Sequence, residues 1–349
     1  MACGQMDKRL PVRVARPTRF LERLPPPPTA LPRWKIGITP PDLSPWIRGN
    51  CGIPGVMHYE GRSPGPHTVC VSLIHGNEFA GAIVLDRLLR ERIRPRSGRL
   101  SFIFANPEAM HQFNPDDPTR ARCVDEDMNR VWSPAMLESE RTSHELDRAR
   151  ALLPVILTAD RLLDLHSMLW PGEPLLLSGM SGPGRKMARQ IKGVPLSVAD
   201  NGHRNGCRLI DHPRFNEGPH PAAACLLEAG QHWHGDTVTR AMQAVLSLIG
   251  PCCGLPVKAA GGTLPRRHMV VTDVVTARTG MFRFVTPFPS GMVLPTGGTL
   301  VAHDGSDEIR TPYDRCMLIM PNLRPARGHT AVRFARAVPA ESDGPAAGQ

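Results

Sequence analysis

From His67 onward the chain alternates short, unbroken apolar runs with stretches of helical periodicity, and this alternation constrains the fold more than any other feature. The run His67-Thr-Val-Cys-Val-Ser-Leu-Ile74 leads into a helical pattern from Phe79 to Ile93. Leu100 to Ala105, Arg161 to His166 and Ala222 to Glu228 read as further strands, Ser139 to Leu157 as a helix broken near Pro154, and His234 to Ile249 as another helix. A strand with one wet face alternates apolar and polar residues; these runs are apolar on both faces, the pattern of a sheet covered by helices on each side. An α/β domain follows.

That pattern has limits along the chain. The start holds Pro25 to Pro28 and prolines at 40, 41 and 45, which favours extended chain, so residues 1–50 are expected to be a proline-rich basic extension, mobile over its first thirty or so. The α/β domain is expected over 51–257. After Gly250 come short Val/Thr/Phe segments punctuated by Gly280, Gly291, Gly297 and Gly298, which predict a small all-β domain over 258–336 and a disordered tail over 337–349.

Composition narrows the function classes. With 349 residues, 41% hydrophobic and 21% charged, the chain is long enough for two cored domains and reads as globular. No apolar run approaches the roughly 18 residues of a membrane span, and no apolar stretch follows the basic start as in a secretory signal, so no membrane association is expected and a cytoplasmic location is. Nine cysteines without framework spacing read as reduced thiols. The net charge of +10 is concentrated in residues 1–50, where nine Lys or Arg meet three acidic residues for +6, leaving +4 for the other 299. Without interleaved aromatics this is no nucleic-acid footprint; a small anionic substrate suits it. The sequence is open to a homo-oligomer.

Chemistry gathers at the ends of the predicted strands, where open α/β sheets bind ligands. In Ile74-His75-Gly-Asn-Glu78, His75 and Glu78 lie three apart across the expected first turn of a helix and can face one point; such a pair is also what a surface His beside a capping Glu looks like. In Asp164-Leu-His166, 88 residues beyond Glu78, a second histidine ends another apolar strand. Two His and one Glu form a set that leaves a coordination position open on one Zn²⁺ per chain. Asp164, on the same strand face as His166, can orient it from behind or be satisfied by a backbone amide. Glu228 closes the apolar run Leu226-Leu227, where burial raises a carboxyl pKa and suits it to proton transfer, unless it emerges into solvent at the sheet edge. The loop Arg122 to Trp132 carries Arg122, Asn129 and Arg130, donors for a substrate carboxylate or a polarised carbonyl; an Arg–Asp network with Asp125 and Asp127 is the plainer reading. His232 and His234, with His212 and His220 upstream, offer a rival metal cluster of little weight.

These residues together resemble the succinylglutamate desuccinylase and aspartoacylase family of zinc hydrolases over about 67–235. HGNE at 75–78, DMNR at 127–130, DLHS at 164–167 and LLEAG at 226–230 match four motifs in order. The resemblance implies a zinc-carboxypeptidase-like mixed sheet with a C-terminal barrel-sandwich-like β domain, His75, Glu78 and His166 on zinc, Glu228 as the catalytic carboxylate, and Arg122, Asn129 and Arg130 on the substrate. No arginine stands in register ahead of Glu228, where Gly218 falls with Arg214 nearby, and Tyr313 is the one tyrosine of the C-terminal region. The expected activity is a zinc-dependent amidohydrolase that removes an acyl group from a small anionic N-acyl amino acid or related acid through a metal-activated water, with Arg122 helping zinc stabilise the oxyanion. The alternatives are a metallocarboxypeptidase acting on peptide C-termini and a metal- or acid-binding protein without turnover.

Overall fold

The computed structural model describes residues 32–203, 205–218, 222–255 and 266–339. The expected mobile start up to residue 31 and the expected disordered tail from residue 340 lie outside the described residues. In chain order the strands are β1 Val56–Glu60, β2 Ser63–Ser72, β3 Ser97–Phe104, β4 Arg161–Met168, β5 Leu175–Ser178, β6 Leu196–Ala199, β7 Ala223–Gln231, β8 Arg267–Thr276, β9 Phe282–Phe284, β10 Val293–Leu294, β11 Leu300–Asp304, β12 Asp307–Arg310, β13 Cys316–Ile319 and β14 Thr330–Ala337. The helices are α1 Ala80–Arg90, α2 Pro107–His111, α3 Pro134–Leu137, α4 His144–Leu157, α5 Gly182–Gln190, α6 Pro213–Asn216 and α7 Gly235–Cys253.

The large sheet has the order β1-β3-β2-β4-β7-β5-β6-β8-β14-β13-β10, and β12-β11-β9 form a second, three-stranded sheet. β3, β2, β4 and β7 are mutually parallel, β5 runs against β7, and β5, β6 and β8 are parallel again, so the sheet is mixed as expected. The C-terminal region is all β. Its first strand, β8, pairs with β6 from Leu196↔Arg267 to Ala199↔Val270, so the main sheet continues without a break into it. On one face of the sheet α1 and α7 bury Leu85, Leu88, Val245 and Ile249 against Cys70, Leu163 and Leu227. On the other, α4 buries Leu146, Leu152 and Ile156 against Val69, Val71 and Leu162. Adjacent residues of β2 and β4 thus enter opposite cores, which is why their sequences are apolar without alternation.

Three local expectations change. The helix over 139–157 begins only at His144, capped by Ser143 Oγ accepting from Leu146 N–H, and runs unbroken through Pro154. A proline removes one N–H donor, but here it sits in the last turn, where burial of Leu152 and Ile156 holds the helix. The last helix likewise passes Pro251 and stops at Gly254, a left-handed C-cap. His75 and Glu78 lie in a turn ahead of α1 rather than in its first turn. Within that turn a Cβ at Gly76 would come 2.3 Å from Ala109 C, and Gly76 N–H donates to Arg122 O, so close backbone approach sets the geometry. Among the described residues no helix is long and apolar enough to cross a membrane, and the eight described cysteines are free thiols.

Candidate active site

The parallel strands β2, β4 and β7 deliver three segments to one end of the sheet. The turn after β2 carries His75 and Glu78, the end of β4 carries His166, and β7 sets Glu228 opposite His166 in register. One ligand atom from each of His75, Glu78 and His166 lies within 4.8 Å of the others, and all three side chains are buried. Glu78 is the bridge: Oε1 is 2.8 Å from His75 Nδ1 and Oε2 is 3.1 Å from His166 Nδ1, with Ser167 N–H donating to Oε2 at 2.9 Å.

The outer nitrogen of each imidazole meets a second carboxylate. His166 Nε2 is 2.9 Å from Asp164 Oδ2 and His75 Nε2 is 2.9 Å from Asp127 Oδ1. An imidazole held from behind by a carboxylate, with its other nitrogen aimed at a common point, is the arrangement that orients metal-ligating histidines. Asp164 meets His166 on the strand face they share, and Asp127, expected only as an ion-pair partner within its loop, meets His75.

The electrostatics follow from burial among these groups. Burial alone would raise the Glu78 pKa, but His75 and His166 outweigh it and hold the carboxyl well below its ordinary value. Burial likewise opposes charge on His166, and Asp164 with Glu78 reverses this, raising its pKa. Glu228 goes the other way: burial first, then the nearby charge of Glu78, pushes its pKa well up. Its Oε2 atom is buried and has no hydrogen-bond partner. Two convergent Nδ1 atoms, a carboxylate between them, carboxylates behind both rings and an orphaned oxygen on Glu228 fit a metal ion with a reactant beside it.

The loop between β3 and α4 closes the site with two short 3₁₀ turns, Arg120–Arg122 and Met128–Arg130. Arg122 donates to Glu78 Oε1 at 3.2 Å and to Asp127 Oδ2 at 2.9 Å. Asn129 is buried, and its Oδ1 accepts from Leu209 N–H, so half of its amide fastens the facing loop. Arg130 Nη2 is 3.6 Å from Asp127, and Gly206 lies against Arg130, where a Cβ would come 2.6 Å from its carbonyl oxygen.

These residues line one cleft of about 590 Å³. Beyond Arg130 its far wall carries Arg208, Arg333, His203 and Asn205, none singled out by the sequence. Arg208 is clamped by Asp200 and Asp211, and Arg333 reaches Asp200 at 3.3 Å from β14. Neither of these aspartates lines the cleft, so this stretch of wall presents guanidinium, imidazole and amide groups. Asp200 follows the apolar run Leu196–Ala199, the same strand-end signal that marked His166, but four residues are too few to stand out in a sequence. His232 also lines the cleft, with Nδ1 2.8 Å from Ser167 Oγ. His234 caps α7 in solvent and His212 caps α6, while His220 lies outside the described residues. Among the described residues His75, Glu78 and His166 form the one metal-compatible group, so the rival histidines do not assemble. Arg214 donates to Leu157 O and Ala159 O, and Tyr313 bonds Thr272; neither lines the cleft.

Residues 64–169 match the family model described as the succinylglutamate desuccinylase/aspartoacylase catalytic domain. Over those residues the chain is similar to that family. Its fold is similar to a solved succinylglutamate desuccinylase from Vibrio parahaemolyticus, with a TM-score of 0.64 at 17% identity over 82% of this chain and 87% of that one. It is similar to a succinylglutamate desuccinylase/aspartoacylase from Rhodobacter sphaeroides, with a TM-score of 0.62 at 21% identity over 82% and 89%. An aspartoacylase family protein from Mesorhizobium loti gives 0.56 at 18% over 82% and 90%. No curated protein matches by sequence.

Proposed function

We propose that this chain is a metal-dependent deacylase that hydrolyses the amide bond of a small N-acylated amino acid or related acid. The observation that carries the reading is the buried His75–Glu78–His166 group beside the unpartnered Glu228 oxygen. Zn²⁺ held by His75, Glu78 and His166 would supply Lewis-acid activation of water and of the scissile carbonyl. The chain's own residues do the rest. Glu228, whose pKa is raised by burial, takes the proton of the attacking water at its free oxygen and returns it to the departing amine nitrogen. Asp164 and Asp127 hold the two imidazoles in the orientation that aims both Nδ1 atoms inward. Arg122 is engaged with Glu78 and Asp127, so its first task is to fix those carboxylates, and its charge faces the cleft as added support for a developing oxyanion.

The carboxylate of the substrate belongs with Arg130 and the Asn129 amide, on the side of the cleft that leads to Arg208 and Arg333. A wall carrying Arg130, Arg208 and Arg333, of whose paired aspartates only Asp127 lines the cleft, favours an acid over a neutral amide. The decisive experiment is a screen of N-acetyl, N-succinyl and N-formyl amino acids with zinc-loaded enzyme, reading free amine, beside elemental analysis of the purified protein. Turnover of at least one substrate with about one transition metal per chain is expected; less than about half an equivalent of any such metal, with no turnover on adding Zn²⁺, overturns the reading.

A further inference from the structure

The segment ahead of β1 lies outside the family match, and its described part is packed into the protein. Trp34, Ile36, Ile38, Trp46 and Ile47 pack on the core between the sheet and α1/α7. Gly37 N–H donates to Trp233 O at 2.9 Å, and Trp46 Nε1 donates to Asp86 at 2.8 Å. Trp34 meets two indoles edge-on at once: Trp170 at 5.2 Å and Trp233 at 5.9 Å between ring centroids. Trp170 lines the cleft, whereas Trp34 does not. Trp233 in turn donates from Nε1 to Asn77 O, inside the turn that carries His75 and Glu78.

Leu169, Pro171, Val274, Met320 and Pro321 join Trp170 as the apolar part of the cleft lining. Its volume is that of a site for a drug-sized ligand, well beyond what an acetyl group and a short side chain fill. An indole free to rotate out of such a lining would leave the space undefined; edge-to-face contact with a second indole fixes its plane.

We infer that Trp34 is a positioning residue, holding Trp170 as an apolar wall that receives a large apolar group, aromatic above all, on the N-acyl amino acid substrate. The inference rests on the deacylase reading and adds to it the class of substrate. The apolar group belongs to either the acyl part or the amino-acid side chain, and the test separates them.

The test compares N-benzoyl-L-alanine and N-acetyl-L-phenylalanine with N-acetyl-L-alanine on zinc-loaded enzyme. For at least one bulky substrate the wild-type kcat/KM relative to N-acetyl-L-alanine should exceed about ten, since filling an apolar pocket discriminates on that scale. Trp170→Ala should bring that ratio near one, Trp34→Ala should lower it severalfold through KM, and Trp34→Phe should restore it. A wild-type ratio near one, or a ratio that survives both alanine variants, overturns the inference. Should Trp34→Ala not fold, Trp170→Ala and Trp34→Phe still decide it. A second readout needs no turnover: N-benzoyl-L-alanine titrated into metal-free protein should quench tryptophan fluorescence in the wild type and not in Trp170→Ala. If no substrate turns over but that quenching is seen, the deacylase reading falls and the wall stands; quenching unchanged in Trp170→Ala removes the wall.

Discussion

The two ends of the cleft are built from opposite materials. At the metal-compatible end, Glu78, Asp127, Asp164 and Glu228 surround two histidines, and every one of these residues comes from the turn after β2, the ends of β4 and β7, or the loop closing over them. At the far end Arg130, Arg208 and Arg333 face the cleft; Asp200 and Asp211 are turned away from it while Asp127, beside Arg130, lines it, and Arg333 arrives from β14, more than a hundred residues beyond β7. The first end concentrates negative charge where a cation belongs; the second concentrates positive charge where an acid belongs. A substrate lying between them is oriented by sign before any shape is read. The contrast also separates two kinds of dependence. The carboxylate end should govern chemistry and metal content, the guanidinium end selectivity.

The largest expected effect tests the carboxylate end. Glu228→Gln keeps size and burial but removes the proton acceptor, and kcat/KM should fall on the order of 10³-fold, within the range for lost general acid–base catalysis. Metal content should not change, because Glu228 is not among the three convergent groups. Unaltered turnover in this variant breaks the comparison at its chemical end.

The next effect tests the other end. Arg130→Ala removes a charge-assisted contact to the substrate carboxylate and should cost about 2–4 kcal/mol in kcat/KM, roughly 30- to 1,000-fold, with lysine an incomplete rescue. Arg130 also lies 3.6 Å from Asp127. If that ion pair is its whole role, the melting temperature falls while the kinetics stay intact, and the selectivity assignment fails.

Asp164→Asn should come third, weakening metal affinity about 10- to 100-fold by releasing His166 from its rear support. Competition with a chelator measures it directly. An affinity equal to wild type would mean that strand burial alone fixes the ring.

How much of this was legible in the sequence follows the same division. His75, Glu78, His166 and Glu228 could be read because each stands where an apolar run meets polar residues, and parallel strands bring such ends to one place. The loop from Arg122 to Arg130 could be read as charged but not as folded: Asp127 backing His75, and Asn129 fastening Leu209, depend on contacts across 52 and 80 residues. Arg208 and Arg333 carry no local signal at all. Strands β5 and β6 are four residues each, shorter than a periodicity can declare, and without them the path from β7 to β8 and β14 is invisible. The segment around Trp34 was hidden by composition, since prolines suggest extended chain whether or not the apolar residues between them find a core.

The smallest effect concerns a histidine remote from both ends. His67, on β2, is buried, with Nε2 2.8 Å from Ser101 Oγ and Nδ1 3.1 Å from Thr158 Oγ1. Burial, and then the charge of Arg99, push its pKa down to about 4 from 6.5. A depressed histidine pKa means that the unfolded chain binds the proton more readily than the folded one, so stability is fully present above pH 6.5 and declines as the pH falls towards 4. Between pH 7.5 and 5 this one group should account for about 1–2 kcal/mol of lost stability. His67→Gln, which keeps a polar side chain in contact with Ser101, should be less stable than wild type at pH 7.5 and should lose less on acidification. Urea unfolding of both proteins at the two pH values measures it. Parallel losses in the two would move the acid sensitivity to His203 and His232, whose pKa values burial also lowers, and would return it to the cleft.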